Sequence, residues 1–323
     1  MRAVFLDKLS LDKNDLDFSR LAATSDDWEF YQTTSKNEVA MRTEDAEIIV
    51  SNKVVLDKAV IENAKNLKLI CVAATGTNNV DLDYAKAKGI TVCNVRAYGT
   101  QSVVQHVFTL LLMLSRNIPQ YQAAIKRGDW QRSKEFCLLD YPIEDLTGKI
   151  IGIVGYGELG QAVAKMAEAF GMEVRIASHT AKNEQDENNI QANRFPLKQL
   201  LRDVDVLTLH CPLTEQTKNL IGETELRLMK SSAYLVNMAR GGIVNEYALK
   251  DALLQNRLAG AAIDVLETEP PQESSPLFEL DLPQLIITPH IAWASRTARQ
   301  TLLNQVAVNI EKYFSGLPQN VVV

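Results

Sequence analysis

Basic clusters, long apolar runs and paired cysteines are all missing from this chain, and each absence removes a class of function. Lys and Arg number 34 against 40 Asp and Glu, a formal net charge of −6, and no cluster of cations interrupts the mixture. Nucleic acid and anionic membrane are therefore poor partners, and an anionic substrate must be caught by a local cation against a repulsive overall field. The longest apolar run, VFTLLLML from Val107 to Leu114, is too short to span a bilayer. The opening MRAVFLDKLSLDKND turns charged within a strand's length, so no secretory signal is expected. The four cysteines, Cys71, Cys93, Cys137 and Cys211, form no C-x-x-C and no zinc spacing; only His210 and Cys211 are adjacent. Reduced thiols in a cytoplasmic protein without a metal are expected. Histidine is equally scarce, with His106, His179, His210 and His290 the whole supply of imidazole. What remains, 46% hydrophobic and 23% charged over 323 residues, is an ordinary globular composition long enough for two cores.

The stretch Gly148–Ser178 organises the rest. An apolar, β-branched run, KIIGIV, meets Gly155, Gly157 and Gly160 in the order G-x-G-x-x-G. The amphipathic QAVAKMAEAFGM follows, closed by Gly171, and then the strand-like EVRIAS. Strand, glycine turn, helix and strand within about 30 residues form the setting of a dinucleotide-binding βαβ unit. Gly155 permits the tight turn, Gly157 has no Cβ to hold a pyrophosphate away, and Gly160 lets helix and strand pack closely. The helix start, at Glu158 and Leu159, offers unpaired N–H groups and the positive end of a dipole to phosphate.

Before this stretch the chain alternates strand and helix. RAVFLD, WEFYQT, AEIIVSN, LKLICVAAT and GITVCNV read as strands with helices such as DKAVIENAKN between them. This pattern implies a parallel sheet covered on both faces, a small flavodoxin-like α/β domain. TQSVVQHVFTLLLMLSRN reads as a helix apolar nearly all round, with Thr100 or Ser102 as its cap. Such a helix belongs in a core or at a subunit interface. After the glycine turn, VDVLTLH, SAYLVNM, LAGAAIDV and PQLIITP bring the second sheet to about six strands. The expected architecture is α/β with two doubly wound domains, a flavodoxin-like domain and a Rossmann-type NAD(P)-binding domain.

Blocks spread over nearly the whole chain resemble the D-isomer-specific 2-hydroxyacid dehydrogenases: AATGTNNVD, NVRAYGT, the glycine turn, HCPLT, VNMARGGIV, DVLETEP and TPHIAWAS. SNKVVLD, CVAATGTNNVD and HIAWAS are most similar to the glycerate dehydrogenase (hydroxypyruvate reductase) branch. The resemblance implies hydride transfer between NAD(P)H and a small 2-oxo acid, a homodimer joined through the nucleotide domain, and a discontinuous flavodoxin-like substrate domain of 1–98 plus 294–323 in which the Rossmann-type NAD(P)-binding domain, 99–293, is inserted. It implies cofactor contacts at Thr75, Thr100, Gly155, Gly157, Glu158, Leu159, Gly160, Ser178, His179, Cys211, Pro212, Thr217, Met238, Ala239, Arg240, Asp264 and His290, with Asp264 on the nicotinamide carboxamide.

The reaction asks for a cation on the substrate carboxylate and a proton donor at the carbonyl oxygen. Arg240 follows a buried strand at the carboxyl end of a parallel sheet, where ligands bind in such folds, and its planar fork suits a carboxylate beside a keto oxygen. Gly241 and Gly242 give its loop freedom to approach ligand. His290 follows the strand LIITP and carries the side chain best matched to proton transfer near neutrality. Glu269 is its expected partner, since a carboxylate favours the imidazolium form and fixes the ring. Backbone N–H groups at Ala74, Thr75 and Gly76 would grip the carboxylate from the other domain, closure would expel water, and Asn52 and Lys53 could add a contact. His106 reads as structural. The acidic residue that usually holds the adenosine ribose is replaced by Ser178, which removes the repulsion against a 2′-phosphate. His179, Thr180 and Lys182 could add contacts, or Glu184 or Asp186 could reach the ribose instead. Other readings are a glyoxylate, D-lactate or phosphoglycerate type enzyme, or a non-catalytic NAD(H)-sensing protein of the corepressor kind.

Overall fold

The computed structural model describes residues 1–178, 194–271 and 275–323. His179, Thr180, Lys182, Glu184 and Asp186 lie outside the described residues. The chain divides into two compact units, Met1–Gly99 with Trp293–Val323, and Thr100–Ala292.

In the first unit, strands β1 (Arg2–Phe5), β2 (Asp27–Phe30), β3 (Ile48–Ser51), β4 (Leu69–Val72) and β5 (Thr91–Cys93) form a parallel sheet in the order β2-β1-β3-β4-β5. This is the flavodoxin-like order. β3 and β4 are buried at every position because both faces are covered. Alternate side chains serve two cores. Val4, Ile49, Ile70 and Val92 enter one. Ala3, Phe5, Ile48, Val50, Leu69 and Cys71 enter the other, against Leu302, Leu303, Val306, Ala307 and Ile310 of the helix Arg296–Phe314. Side-chain caps start three of the helices: Asp57 accepts from Val60 N, Asp81 from Tyr84 N and Ser295 from Ala298 N. The strands are shorter than their apolar runs. LKLICVAAT, for instance, is strand only over Leu69–Val72, and its last residues become the loop where chemistry is expected.

In the second unit, β6 (Ile150–Val154), β7 (Glu173–Ala177), β8 (Arg194–Phe195), β9 (Val206–Leu209), β10 (Tyr234–Asn237), β11 (Gly260–Ile263) and β12 (Leu285–Ile287) form a seven-stranded parallel sheet. The order is β12-β11-β10-β9-β6-β7-β8, a doubly wound sheet whose direction of growth reverses between β6 and β9. β8 was not expected from the sequence: two residues, one of them charged, give no periodic signal at a sheet edge.

The helix Thr100–Ser115 belongs to the core of its own unit. Val103, Val104, Val107, Phe108, Leu110, Leu111 and Leu114 are buried, and the exposed positions are the polar Gln101, Gln105 and Thr109. Phe108 stacks on Phe170 at 5.1 Å. The capping expectation is corrected: Thr100 is already helical, its hydroxyl donates to the Glu158 carboxylate, and Ser102 Oγ donates to Ala292 O at 2.7 Å. Apolar surface is exposed instead in the segment that follows, at Ile125, Trp130, Phe136 and Leu139. Among the described residues no helix is long and apolar enough to cross a membrane.

Candidate active site

The glycine turn has the close approaches that a cofactor cradle needs. Gly155 sits at φ +93°, and a Cβ there would lie 2.6 Å from Cys211 N. A Cβ on Gly160 would lie 2.1 Å from Gly155 O, so only glycine lets the helix Glu158–Ala169 begin this close to β6. Gly157 differs: a Cβ there would meet nothing within 4 Å, which leaves its outer side open. Open space in front of a helix N-terminus without a side-chain cap fits a pyrophosphate, with the amides at Glu158 and Leu159 as donors.

Ser178 follows β7, half-buried, with its N–H on Phe195 O at 2.9 Å. That bond extends the pairing of β7 with β8, where Ile176 stands opposite Arg194. The sequence places no arginine in the loop after β7. The fold supplies one from β8, with the Arg194 guanidinium 5.9 Å from the ring centroid of Tyr156 in the glycine turn.

The loop after β9 is held by its own hydroxyls. Thr217 Oγ1 donates to Pro212 O at 2.7 Å and accepts from Thr214 N at 2.7 Å. The Cys211 thiol is pushed up by burial. His210 places Nε2 2.8 Å from Thr208 Oγ1, and its buried Nδ1 has no partner among the described residues. Burial pushes its pKa down to about 4, so the ring is neutral near pH 7. An unfolded histidine takes its proton near pH 6.5, so between pH 6.5 and 4 the unfolded chain binds more protons and gains on the folded one. Acidification across that window is expected to remove up to about 3 kcal/mol through this ring. Urea midpoints from pH 7 to 4 should fall more steeply for the wild-type protein than for His210→Asn. Equal slopes would remove His210 from the acid sensitivity.

After β10 the chain turns sharply to present Arg240. The buried Asn237 donates from Nδ2 to Arg240 O at 3.0 Å and accepts from Ala239 N at 3.1 Å. Met238 and Ala239 are buried, whereas Arg240 is exposed with one guanidinium N–H on Ala239 O at 2.7 Å. Gly241 corrects an expectation: its lack of a side chain serves contact more than freedom. A Cβ there would lie 1.8 Å from Leu266 O, so the Arg240 turn packs directly on the segment leading to Glu269.

Glu269 is fixed at both oxygens. Oε1 accepts from Leu266 N at 2.9 Å, and Oε2 lies 2.6 Å from His290 Nδ1. A carboxylate only accepts, so the shared hydrogen sits on Nδ1 and Nε2 is left as the reacting nitrogen. His290 adopts φ +54°, the left-handed region that a non-glycine residue seldom takes. Asp264, almost fully buried, spends its carboxylate on this loop. Oδ1 accepts from Thr288 Oγ1 at 2.6 Å and Ile291 N at 2.9 Å, Oδ2 from Ala292 N at 2.9 Å, and its carbonyl from His290 N at 2.8 Å. Asp264 thus clamps residues 288–292, a task additional to the nicotinamide contact that the resemblance implies for it.

In the first unit, Asp7 accepts from Asn52 N at 2.9 Å and Lys53 N at 2.7 Å, and Asn52 Nδ2 donates to Ser10 Oγ at 3.0 Å. Burial raises the Asp7 pKa against the lowering effect of these bonds. In the loop after β4, the carbonyls of Ala74 and Thr75 accept from Val95 N and Asn94 Nδ2. The N–H groups of Ala74, Thr75 and Gly76 donate to no acceptor among the described residues. Asp7, Asn94 and Asn237 were not singled out from sequence; Asp7 and Asn94 work through backbone groups distant in sequence, and Asn237 through those two and three residues on.

A doubly wound sheet, an open glycine turn and a histidine–carboxylate pair at the strand ends define a nicotinamide-dependent oxidoreductase acting on a CH–OH group. The family model for the NAD-binding domain of D-isomer specific 2-hydroxyacid dehydrogenases matches residues 108–292, and the chain belongs to that family. It is 44% identical to a glycerate dehydrogenase of Methylorubrum extorquens over 99% of this chain and 98% of that one. It is 38% identical to a hydroxypyruvate reductase of Blautia hydrogenotrophica over 100% of this chain and 99% of that one. Among solved structures, an NADPH-dependent glyoxylate/hydroxypyruvate reductase of Sinorhizobium meliloti, in complex with NADP and malonate, superposes with a TM-score of 0.81. That comparison has 26% identity and covers 100% of this chain and 96% of the other. The protein is a D-2-hydroxyacid dehydrogenase that uses NAD(P).

Proposed function

We propose that the reaction is the interconversion of hydroxypyruvate and D-glycerate. The observation that carries the catalytic reading is the Glu269–His290 pair at 2.6 Å, with Glu269 itself anchored by Leu266 N. The full-length similarity to a glycerate dehydrogenase and a hydroxypyruvate reductase supports the substrate. When bound, the nicotinamide donates or accepts the hydride. Arg240 holds the carboxylate and keto oxygen of the 2-oxo acid, which orients the carbonyl carbon and stabilises charge developing on its oxygen. His290 Nε2 gives its proton to that oxygen, and Glu269 holds the ring and stabilises the imidazolium. In the reverse direction the same nitrogen takes the proton from the hydroxyl. The Ala74–Gly76 amides suit a carboxylate, and the first unit is proposed as the substrate domain. Turnover of hydroxypyruvate, glyoxylate, pyruvate and 3-phosphohydroxypyruvate, ranked by kcat/KM, tests the reading. A leading value for any but hydroxypyruvate would overturn the substrate choice.

Both nicotinamides are proposed as cofactors. No carboxylate stands at Ser178, and Arg194 adds a cation at the same sheet edge. NADPH should be accepted within about tenfold of NADH, a difference of roughly 1.4 kcal/mol. Ser178→Asp should weaken NADPH binding selectively, through repulsion of the 2′-phosphate. Fluorescence titration of both cofactors reads this directly, and a thousandfold NADH preference in the unmodified protein would place Ser178 away from the ribose. A cytoplasmic homodimer is also proposed, with the exposed Trp130, Phe136 and Leu139 at its interface.

A further inference from the structure

We propose that Ser102 and His106, on the helix Thr100–Ser115, are positioning residues for proton transfer, holding the loop that carries His290. The proposal rests on His290 being the proton donor.

The two residues are four apart on one helix and so share a face. Their partners lie two residues to either side of His290. His106 Nε2 is 3.0 Å from Thr288 Oγ1, and Ser102 Oγ donates to Ala292 O at 2.7 Å. Thr288 spends its one hydroxyl hydrogen on Asp264 Oδ1 at 2.6 Å, so its oxygen accepts from His106. That fixes the His106 tautomer with its hydrogen on Nε2. Asp264 grips the same segment from the end of β11 through Thr288 Oγ1, Ile291 N and Ala292 N. The loop is therefore held by two elements, a strand end and a helix.

The need for two grips lies in the His290 backbone. At φ +54° a histidine keeps its conformation only while its surroundings over-determine it. Asp264 fixes Thr288, Ile291 and Ala292 from β11, and the helix adds a second, independent hold on Thr288 and Ala292, with His106 Nε2 3.7 Å from Asp264 Oδ1. With the helical grip released, the loop has room to relax towards ordinary backbone angles, carrying the ring away from the carbonyl oxygen. Displacements of this order are costly, because proton transfer needs close contact with the reacting oxygen. Neither Ser102 nor His106 needs to touch substrate for this.

The test compares Ser102→Ala, His106→Leu and His106→Gln, each alone and in a His290→Asn background. Measured are kcat, KM for hydroxypyruvate, NADPH affinity by fluorescence and the thermal midpoint. His106→Leu should lower kcat about tenfold to a hundredfold while KM and NADPH affinity move by less than about threefold. Glutamine places an N–H near the position of Nε2 and should recover most of the loss. Ser102→Ala should lower kcat less, and it carries the test if His106→Leu does not fold. In the His290→Asn background these changes should have little further effect, since a residue acting through His290 has nothing left to position. Wild-type kcat in both His106→Leu and Ser102→Ala overturns the proposal, as does an equal loss with and without His290. His290→Asn at the wild-type rate would instead overturn the assignment of the proton donor, and the proposal with it.

Discussion

Replacing His290 by asparagine should lower kcat by about 10²–10⁴-fold, the range that general acid–base catalysis contributes. Asparagine is the informative choice because it tolerates the left-handed backbone that His290 adopts at φ +54°, whereas alanine would add a conformational loss. The substitution removes the imidazole opposite Glu269 and leaves the glycine turn untouched. NADH and NADPH should therefore bind as before. The expected signature is a fall in kcat with cofactor dissociation constants unchanged. A kcat within tenfold of the wild type would show that another group supplies the proton.

Arg240→Lys should act on the other half of the site. The guanidinium offers two parallel N–H donors to a carboxylate and its neighbouring keto oxygen, and lysine offers a point charge. Loss of one charge-assisted hydrogen bond, about 1.5–3 kcal/mol, corresponds to a drop in kcat/KM of roughly 10–150-fold. Because Asn237 holds the turn through backbone atoms, lysine should sit at the same place, and folding should be unaffected. Steady-state kinetics with hydroxypyruvate would expose the loss, and an unchanged kcat/KM would move substrate binding elsewhere.

The strands most legible in the sequence are those buried on both faces, such as Ile48–Ser51 and Leu69–Val72, because covered parallel strands read as continuous β-branched and aliphatic runs. β8 was illegible for the opposite reason. It is an edge strand of two residues, half-buried, and nothing in Arg-Phe distinguishes it from a loop. The glycine turn was legible down to the separate tasks of Gly155 and Gly160, since each follows from the absence of a Cβ. Gly241 was misjudged because its neighbour, Leu266, arrives from another strand connection. The same limit hid the grip on the His290 loop. His106 and Thr288 are 182 positions apart, and no local pattern announces that an otherwise apolar helix will turn two polar groups towards that loop. Asp264 could be singled out, but its hold on Thr288, Ile291 and Ala292 could not, because those partners lie on another strand connection.

The first unit owes part of its interior to the last stretch of the chain, and this bears on the order of events during synthesis. Its sheet leaves the ribosome early, with Ala3, Phe5, Ile48, Val50, Leu69 and Cys71 along one face. The cover for that face, Leu302, Leu303, Val306, Ala307 and Ile310, is made only after the whole of Thr100–Ala292 has been translated. At about 5–20 residues per second, translation of Thr100–Ala292 takes about 10–40 seconds, during which that face of the earlier sheet lacks its cover. The nascent chain can complete this interior only when the helix Arg296–Phe314 has been made. Its interval of greatest stickiness belongs to the part that was made first, which makes that sheet the natural client of a chaperone waiting at the exit tunnel.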